Sequence, residues 1–87
     1  MKTEAARLLH VDVVVFATLR NYMPELAIGE TKRMDVPHGT TVEQLIEMLE
    51  IPVDEVKVMM RNHRQADLSD VLAYGDRIAL IPAVGGG

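Results

Sequence analysis

One stretch restricts everything else this chain can do. Between Thr40 and Ile51, Val42, Leu45, Ile46 and Leu49 fall at i, i+3, i+4 and i+7, which is a single apolar stripe on a helix. Thr41 can accept a hydrogen bond from the backbone three residues on, where Gln44 can reach back, so the helix opens with a capping box. Pro52 closes it, because the residue before a proline avoids the helical region. No other segment shows a helical period of this length. A lone helix with one apolar stripe must bury that stripe against something flat, so the remaining chain has to supply a sheet.

The flanking segments fit strands. His10 to Ala17 is valine-rich with one charge, the pattern of a central strand covered on both faces. Thr18 to Thr31 mixes Pro24 and Gly29 with Leu19, Tyr22, Leu26 and Ile28, and is expected to be a long loop whose apolar residues fold back on the core. Lys32 to Val36 alternates and stops at Pro37. Val56 to Asn62 is expected to be a half-buried strand with Val56, Val58 and Met60 on one face and Lys57, Met59 and Arg61 on the other. Residues 62–66 are expected to be a tight connection, Leu68 to Tyr74 a short helical turn, and Gly75-Asp76 a turn into a last strand, Arg77 to Ile81, ended by Pro82. Strand, strand, helix, strand, turn, strand predicts an α+β chain of the β-grasp type, a mixed four- to five-stranded sheet with one main helix across one face. The expected division is a flexible extension over 1–9, a domain over 10–82 and a flexible tail over 83–87. The sheet face away from the helix is left open, and Met59 and Ile81, placed on it, make it a candidate docking surface.

Composition removes several classes of function. A net charge of −4, two Tyr, one Phe and no Trp provide neither the positive field nor the stacking platforms of a nucleic-acid module. The absence of cysteine excludes disulfides, a thiolate nucleophile and a cysteine-based metal site. His10, His38 and His63 lack ligand spacing, so no metal is expected. No apolar run approaches the roughly 20 residues of a membrane span, and the N-terminus lacks the apolar core of a signal peptide, which points to a cytoplasmic protein. Glu43, Glu47 and Glu50 occupy the solvated side of the helix, and Asp67 and Asp70 suit turn capping better than acid catalysis.

The ending is the exception to an otherwise ordinary composition. After Pro82 come Ala83, Val84 and Gly85-Gly86-Gly87. At about 7% average usage, three consecutive glycines are roughly a three-in-ten-thousand event. Glycines pack nothing and lose the most backbone entropy on ordering, but they can thread a channel too narrow for a Cβ. The α-carboxylate of Gly87 is therefore the candidate reactive group, carried on an arm made by Gly85 and Gly86.

Three segments together resemble the MoaD/ThiS sulfur carriers, relatives of ubiquitin in fold. Val13-Val14-Val15-Phe16-Ala17-Thr18-Leu19-Arg20 is similar to the opening strand of the small subunit of molybdopterin synthase, Thr40 to Leu45 to its helix start, and Tyr74 to Gly87 to its ending. The pair Pro82-Ala83 and the aliphatic Ile81 depart from the two prolines and the aromatic residue usual there, and Asn62-His63-Arg64-Gln65 replaces a common Asn-Gly turn. The resemblance implies that the chain alone is not an enzyme. It would be a cosubstrate whose Gly87 is adenylated by a ubiquitin-activating-type adenylyltransferase using ATP and Mg²⁺, and then converted to a thiocarboxylate with sulfur from a partner's persulfide. No cofactor would be bound by the chain itself. The large subunit of molybdopterin synthase would be a further partner, and Met59, Ile81, Val84, Arg20 and Arg61 would be partner contacts. Molybdopterin or tungstopterin synthesis is the expected pathway. Left open beside it are a carrier for thiamine or another thiolated product, a ubiquitin-like modifier joined to lysines, and a binding domain with an incidental tail.

Overall fold

The computed structural model describes residues 7–83. Five strands form one mixed sheet: β1 (Leu8–Val15), β2 (Lys32–Pro37), β3 (Val56–Arg61), β4 (Arg64–Ala66) and β5 (Arg77–Pro82), in the spatial order β2-β1-β5-β3-β4. The helix α1 (Val42–Met48) lies across one face, as the β-grasp expectation requires. β1 and β5 run parallel in the middle, and every other pairing is antiparallel.

The core follows from the period of two. Leu9, Val11, Val13 and Val15 of β1 and Ile78 and Leu80 of β5 face the helix, and Val13 pairs with Ile78 and Val15 with Leu80. Val42, Leu45 and Ile46 of α1 are fully buried against them. Removing those three side chains from water contributes roughly 5–9 kcal/mol before entropy is subtracted. β1 begins at Leu8, two residues earlier than expected, and Leu9, assigned to the extension, is a core residue. Residues 1–6, the rest of that extension, lie outside the described residues.

Both ends of α1 are set by local chemistry. Gln44 N donates to Thr41 Oγ1 at 3.2 Å and Thr41 N donates to Gln44 Oε1 at 3.0 Å, completing the capping box. The helix stops before Pro52 is reached. Glu50 takes φ +61°, Glu50 N donates to the Glu47 carbonyl and Ile51 N to the Ile46 carbonyl, a Schellman ending with glutamate where glycine is usual.

Leu68 to Tyr74 does not form the expected helical turn. Its backbone is instead used by α1: Val42 N donates to the Asp70 carbonyl at 2.9 Å and Glu43 N to the Leu68 carbonyl at 3.0 Å, satisfying two donors that every helix start leaves free. Asp70 caps its own turn by accepting from Asp67 N at 3.0 Å. The connection between β3 and β4 is a two-residue hairpin in which Asn62 and His63 have φ of 53° and 72°, the left-handed pair that matches strand twist.

Asp76 ties these parts together. It is 5% exposed, and its carboxylate accepts from Arg61 Nε, Asn62 Nδ2 and Ala73 N, each at 2.8 Å. Its carbonyl accepts from Asp12 N of β1 at 2.9 Å. Arg61, expected to reach a partner, directs its Nε to this buried carboxylate and neutralises it. Because the Arg61 side chain is 30% exposed, the loss on breaking the pair falls below that for a fully buried one. Asp76→Asn should destabilise by about 2–4 kcal/mol, read from the urea midpoint at unchanged slope. A loss of under about 0.5 kcal/mol, the range of an ordinary surface change, would contradict this role.

Candidate functional site at the exit of the last strand

A parallel β1–β5 pair sends both strands out at the same end of the sheet. Phe16 N donates to the Leu80 carbonyl at 3.1 Å, one step past the end of β1, and Pro82 is paired with Val56 at the start of β3. The segment after Pro82 therefore leaves from the middle of the sheet rather than from an edge. Pro82 is buried and Ala83 exposed, so the transition from core to solvent takes one residue. Val84, Gly85, Gly86 and Gly87, the candidate arm and reactive group, lie outside the described residues.

Two 3-10 turns frame this exit. The first, Ala17–Tyr22, starts where Ala17 turns the chain with φ +53° and is anchored by Leu19, fully buried in the core. The loop expected over 18–31 thus begins as ordered structure, and Met23 is buried as well. The second turn, Val53–Glu55, leads into β3. Tyr22 Oη donates to Glu55 Oε1 at 2.9 Å, joining the two turns. Arg20 projects from the first turn, half-buried, with a Nε that has no hydrogen-bond partner among the described residues.

The face opposite α1 carries the exit's apolar surroundings. Phe16, Met60, Ala79 and Ile81 line a shallow pocket with His63 and Arg77. Met60 occupies the place expected for Met59. The register of β3 on β5 shifts between Val56 and Val58, and this bulge reverses the alternation, so that Met59 pairs with Leu80 and joins the helix-side core while Met60 pairs with Ala79. The open-face assignment of Met59 is thereby corrected, and that of Ile81 stands beside Met60. No period in the sequence marks a bulge, although the adjacent methionines leave both parities chemically acceptable. Among the described residues no three metal-ligating side chains converge, and no helix is long and apolar enough to cross a membrane.

A five-stranded mixed sheet with one main helix across one face is the ubiquitin-like β-grasp, a fold shared with small carrier and modifier proteins. The chain belongs to the ThiS family, whose family model matches residues 13–87. No curated protein matches it in sequence. Among solved structures it is similar to small archaeal modifier protein 1 of Haloferax volcanii, with 26% identity over 87% of this chain and 99% of that one and a TM-score of 0.68. The Pyrococcus furiosus protein assigned as molybdopterin converting factor, subunit 1, shares 22% identity over 87% and 99%, with a TM-score of 0.69. Urm1 of Trypanosoma brucei shares the fold at 15% identity over 94% and 99%, with a TM-score of 0.67.

The Tyr22 phenol is raised above its ordinary value of 10.0, first by its hydrogen bond to Glu55, then by desolvation and by the charges of Glu55 and Asp54. A raised value means the bond's contribution is complete below pH of about 10 and is lost as pH rises through the folded value. Ultraviolet titration of phenolate should show a component above the ordinary range that moves down toward it in Glu55→Ala. Identical titration curves for Glu55→Ala and the parent chain would rule out the bond.

Proposed function

We propose that this chain is a sulfur carrier. The supporting observation is a ThiS-family match that runs through Gly87, on a fold whose last strand leaves from the sheet centre with glycines at its end. A carboxylate is a poor acyl donor. Attack of the Gly87 carboxylate on ATP, with Mg²⁺, releases pyrophosphate and leaves an acyl adenylate, the work of a ubiquitin-activating-type partner rather than of this chain. A partner's persulfide then displaces AMP, and a second partner thiol cleaves the resulting disulfide, leaving sulfur on Gly87 as a thiocarboxylate. With no cysteine in the chain, both thiols belong to partners.

The receiving pathway in this reading is molybdopterin or tungstopterin synthesis in the cytoplasm, with the chain as the small subunit beside a larger synthase subunit. The name of the Pyrococcus relative supports that choice over thiamine. A second reading has a specific support of its own. The 26% identity to an archaeal modifier favours capture of the same acyl adenylate by target lysines. Activation of Gly87 is common to both. Phe16, Met60, Ile81 and Val84 would dock the activating partner, and Arg20, on the turn beside the exit, would meet an acidic side chain there.

The arm must be thin for its carboxylate to reach ATP in the partner's channel. Gly86→Phe should lower pyrophosphate exchange by about 100-fold or more, since misplacing a reacting group by an ångström costs that much, while leaving the melting temperature unchanged. Unaltered exchange in that variant would refute threading.

A further inference from the structure

The strand β2 is one edge of the sheet, and the backbone groups it turns outward can be named. His38 N donates to the Arg7 carbonyl at 3.2 Å, so the hydrogen-bonded pairs of the antiparallel ladder fall at every second step from there: Leu9–Val36, Val11–Met34 and Val13–Lys32. The other side of β1 agrees with this count. Asp12 N and Phe16 N donate to the carbonyls of Asp76 and Leu80, and the His10 carbonyl accepts from Gly75 N, so the residues between those pairs are turned toward β5. On β2 the backbone groups of Arg33, Asp35 and Pro37 therefore point away from the sheet. Pro37 has no N–H, and its carbonyl already accepts from Thr40 N and Thr40 Oγ1. What remains is the N–H and C=O of Arg33 and of Asp35, with no partner among the described residues. Both side chains are exposed on the face away from α1, where Arg33 stands opposite Asp12 and Asp35 opposite His10. Met34, between them, is half-buried and packs on the helix-side core. An unshielded edge of this kind is a template for another strand.

We propose that the strand seated on this edge is β2 of a second copy of the chain, antiparallel to the first about a two-fold axis through Met34. In that register Arg33 lies opposite Asp35 of the second copy, and Asp35 opposite its Arg33. Each outward N–H then meets an outward C=O, and an opposite-charge pair forms on either side of the axis. At the axis the two Met34 side chains meet at a pair without hydrogen bonds, where side chains approach most closely, and the helix-side apolar layer continues from one copy to the other. Backbone and charge select the same register. An axis through Arg33 or through Asp35 would keep outward groups facing one another but set like charges directly opposite. An axis between two residues would face outward groups with inward ones. β1 separates β2 from β5, so Pro82 stays outside the contact, and the last strands of the two copies leave at opposite ends of one continuous sheet. The strand is six residues long, which makes the contact small and the dimer weak and reversible.

The test uses the full chain. Sedimentation from about 10 µM to about 1 mM should show a monomer–dimer equilibrium. Amide hydrogen exchange followed by NMR over the same range needs no variant: Arg33 and Asp35 should gain about 3-fold or more protection as concentration rises, while Met34 is protected throughout and Gln65, on the other edge, does not change. Arg33→Asp and Asp35→Arg should each weaken self-association by about 10-fold or more, because each sets like charges opposite. An equimolar mixture of the two should recover to within about 3-fold of the parent chain, since each variant supplies the charge that the other lacks. Arg64→Asp, the same charge change on β4, should have little effect. Variants are compared only where the melting temperature is unchanged. A parent chain that stays monomeric at about 1 mM would overturn the proposal, as would a mixture that stays apart or equal losses for Arg33→Asp and Arg64→Asp. Concentration-dependent protection at Gln65, or shifts gathered around Ile81 in place of Arg33 and Asp35, would overturn it too, because another surface would then join the copies.

Discussion

The parallel contact between β1 and β5 under the apolar stripe of α1 is the interaction on which the rest of the molecule depends. Val13 and Val15 against Ile78 and Leu80, roofed by Val42, Leu45 and Ile46, form the fully or almost fully buried centre of the core. Because these two strands are parallel, the chain must cross over the sheet between them, and α1 is the element that does so. The same geometry delivers the last strand to the middle of the sheet. An edge strand could peel away and take its continuation with it, whereas β5 is held by hydrogen bonds on both sides up to its final residues. A segment leaving there has a fixed origin in the sheet.

The buried Asp76 network and the exit lie at opposite ends of β5 and divide the labour. Asp76, Arg61 and Asn62 fix where the strand begins, and they tie the β3–β4 hairpin to β1 through backbone and side-chain bonds. At the other end, Leu19 and the Tyr22–Glu55 bond hold two short turns around Pro82. The buried polar side chains Thr40 and Asp76 are both paired within the chain.

Much of this was legible in the sequence because it obeys local periods. The spacing of Val42, Leu45, Ile46 and Leu49, the Thr41–Gln44 box and the valine-rich first strand each depend on residues close to one another, and each formed as expected. What escaped were features decided by distant partners. Met59 turned inward because a bulge at Lys57 reset the register against β5, and Arg61 was claimed by a carboxylate fifteen residues away. Leu68 to Tyr74 has apolar residues at helical spacing, yet its carbonyls were worth more as acceptors for the start of α1. At the candidate site the glycines and Ile81 stood out by composition and pattern. The exchange of Met60 for Met59 on the open face required the sheet to be assembled first.

The central claim is that Gly87 receives sulfur, and intact mass reports it most directly. The full chain, produced in cells that retain the matched activating enzyme and sulfur donor, is weighed alongside the same chain lacking Gly87. Replacement of one carboxylate oxygen by sulfur predicts a gain of about 16 mass units that depends on Gly87. An unchanged mass in cells where the activating enzyme demonstrably forms the adenylate would contradict the account.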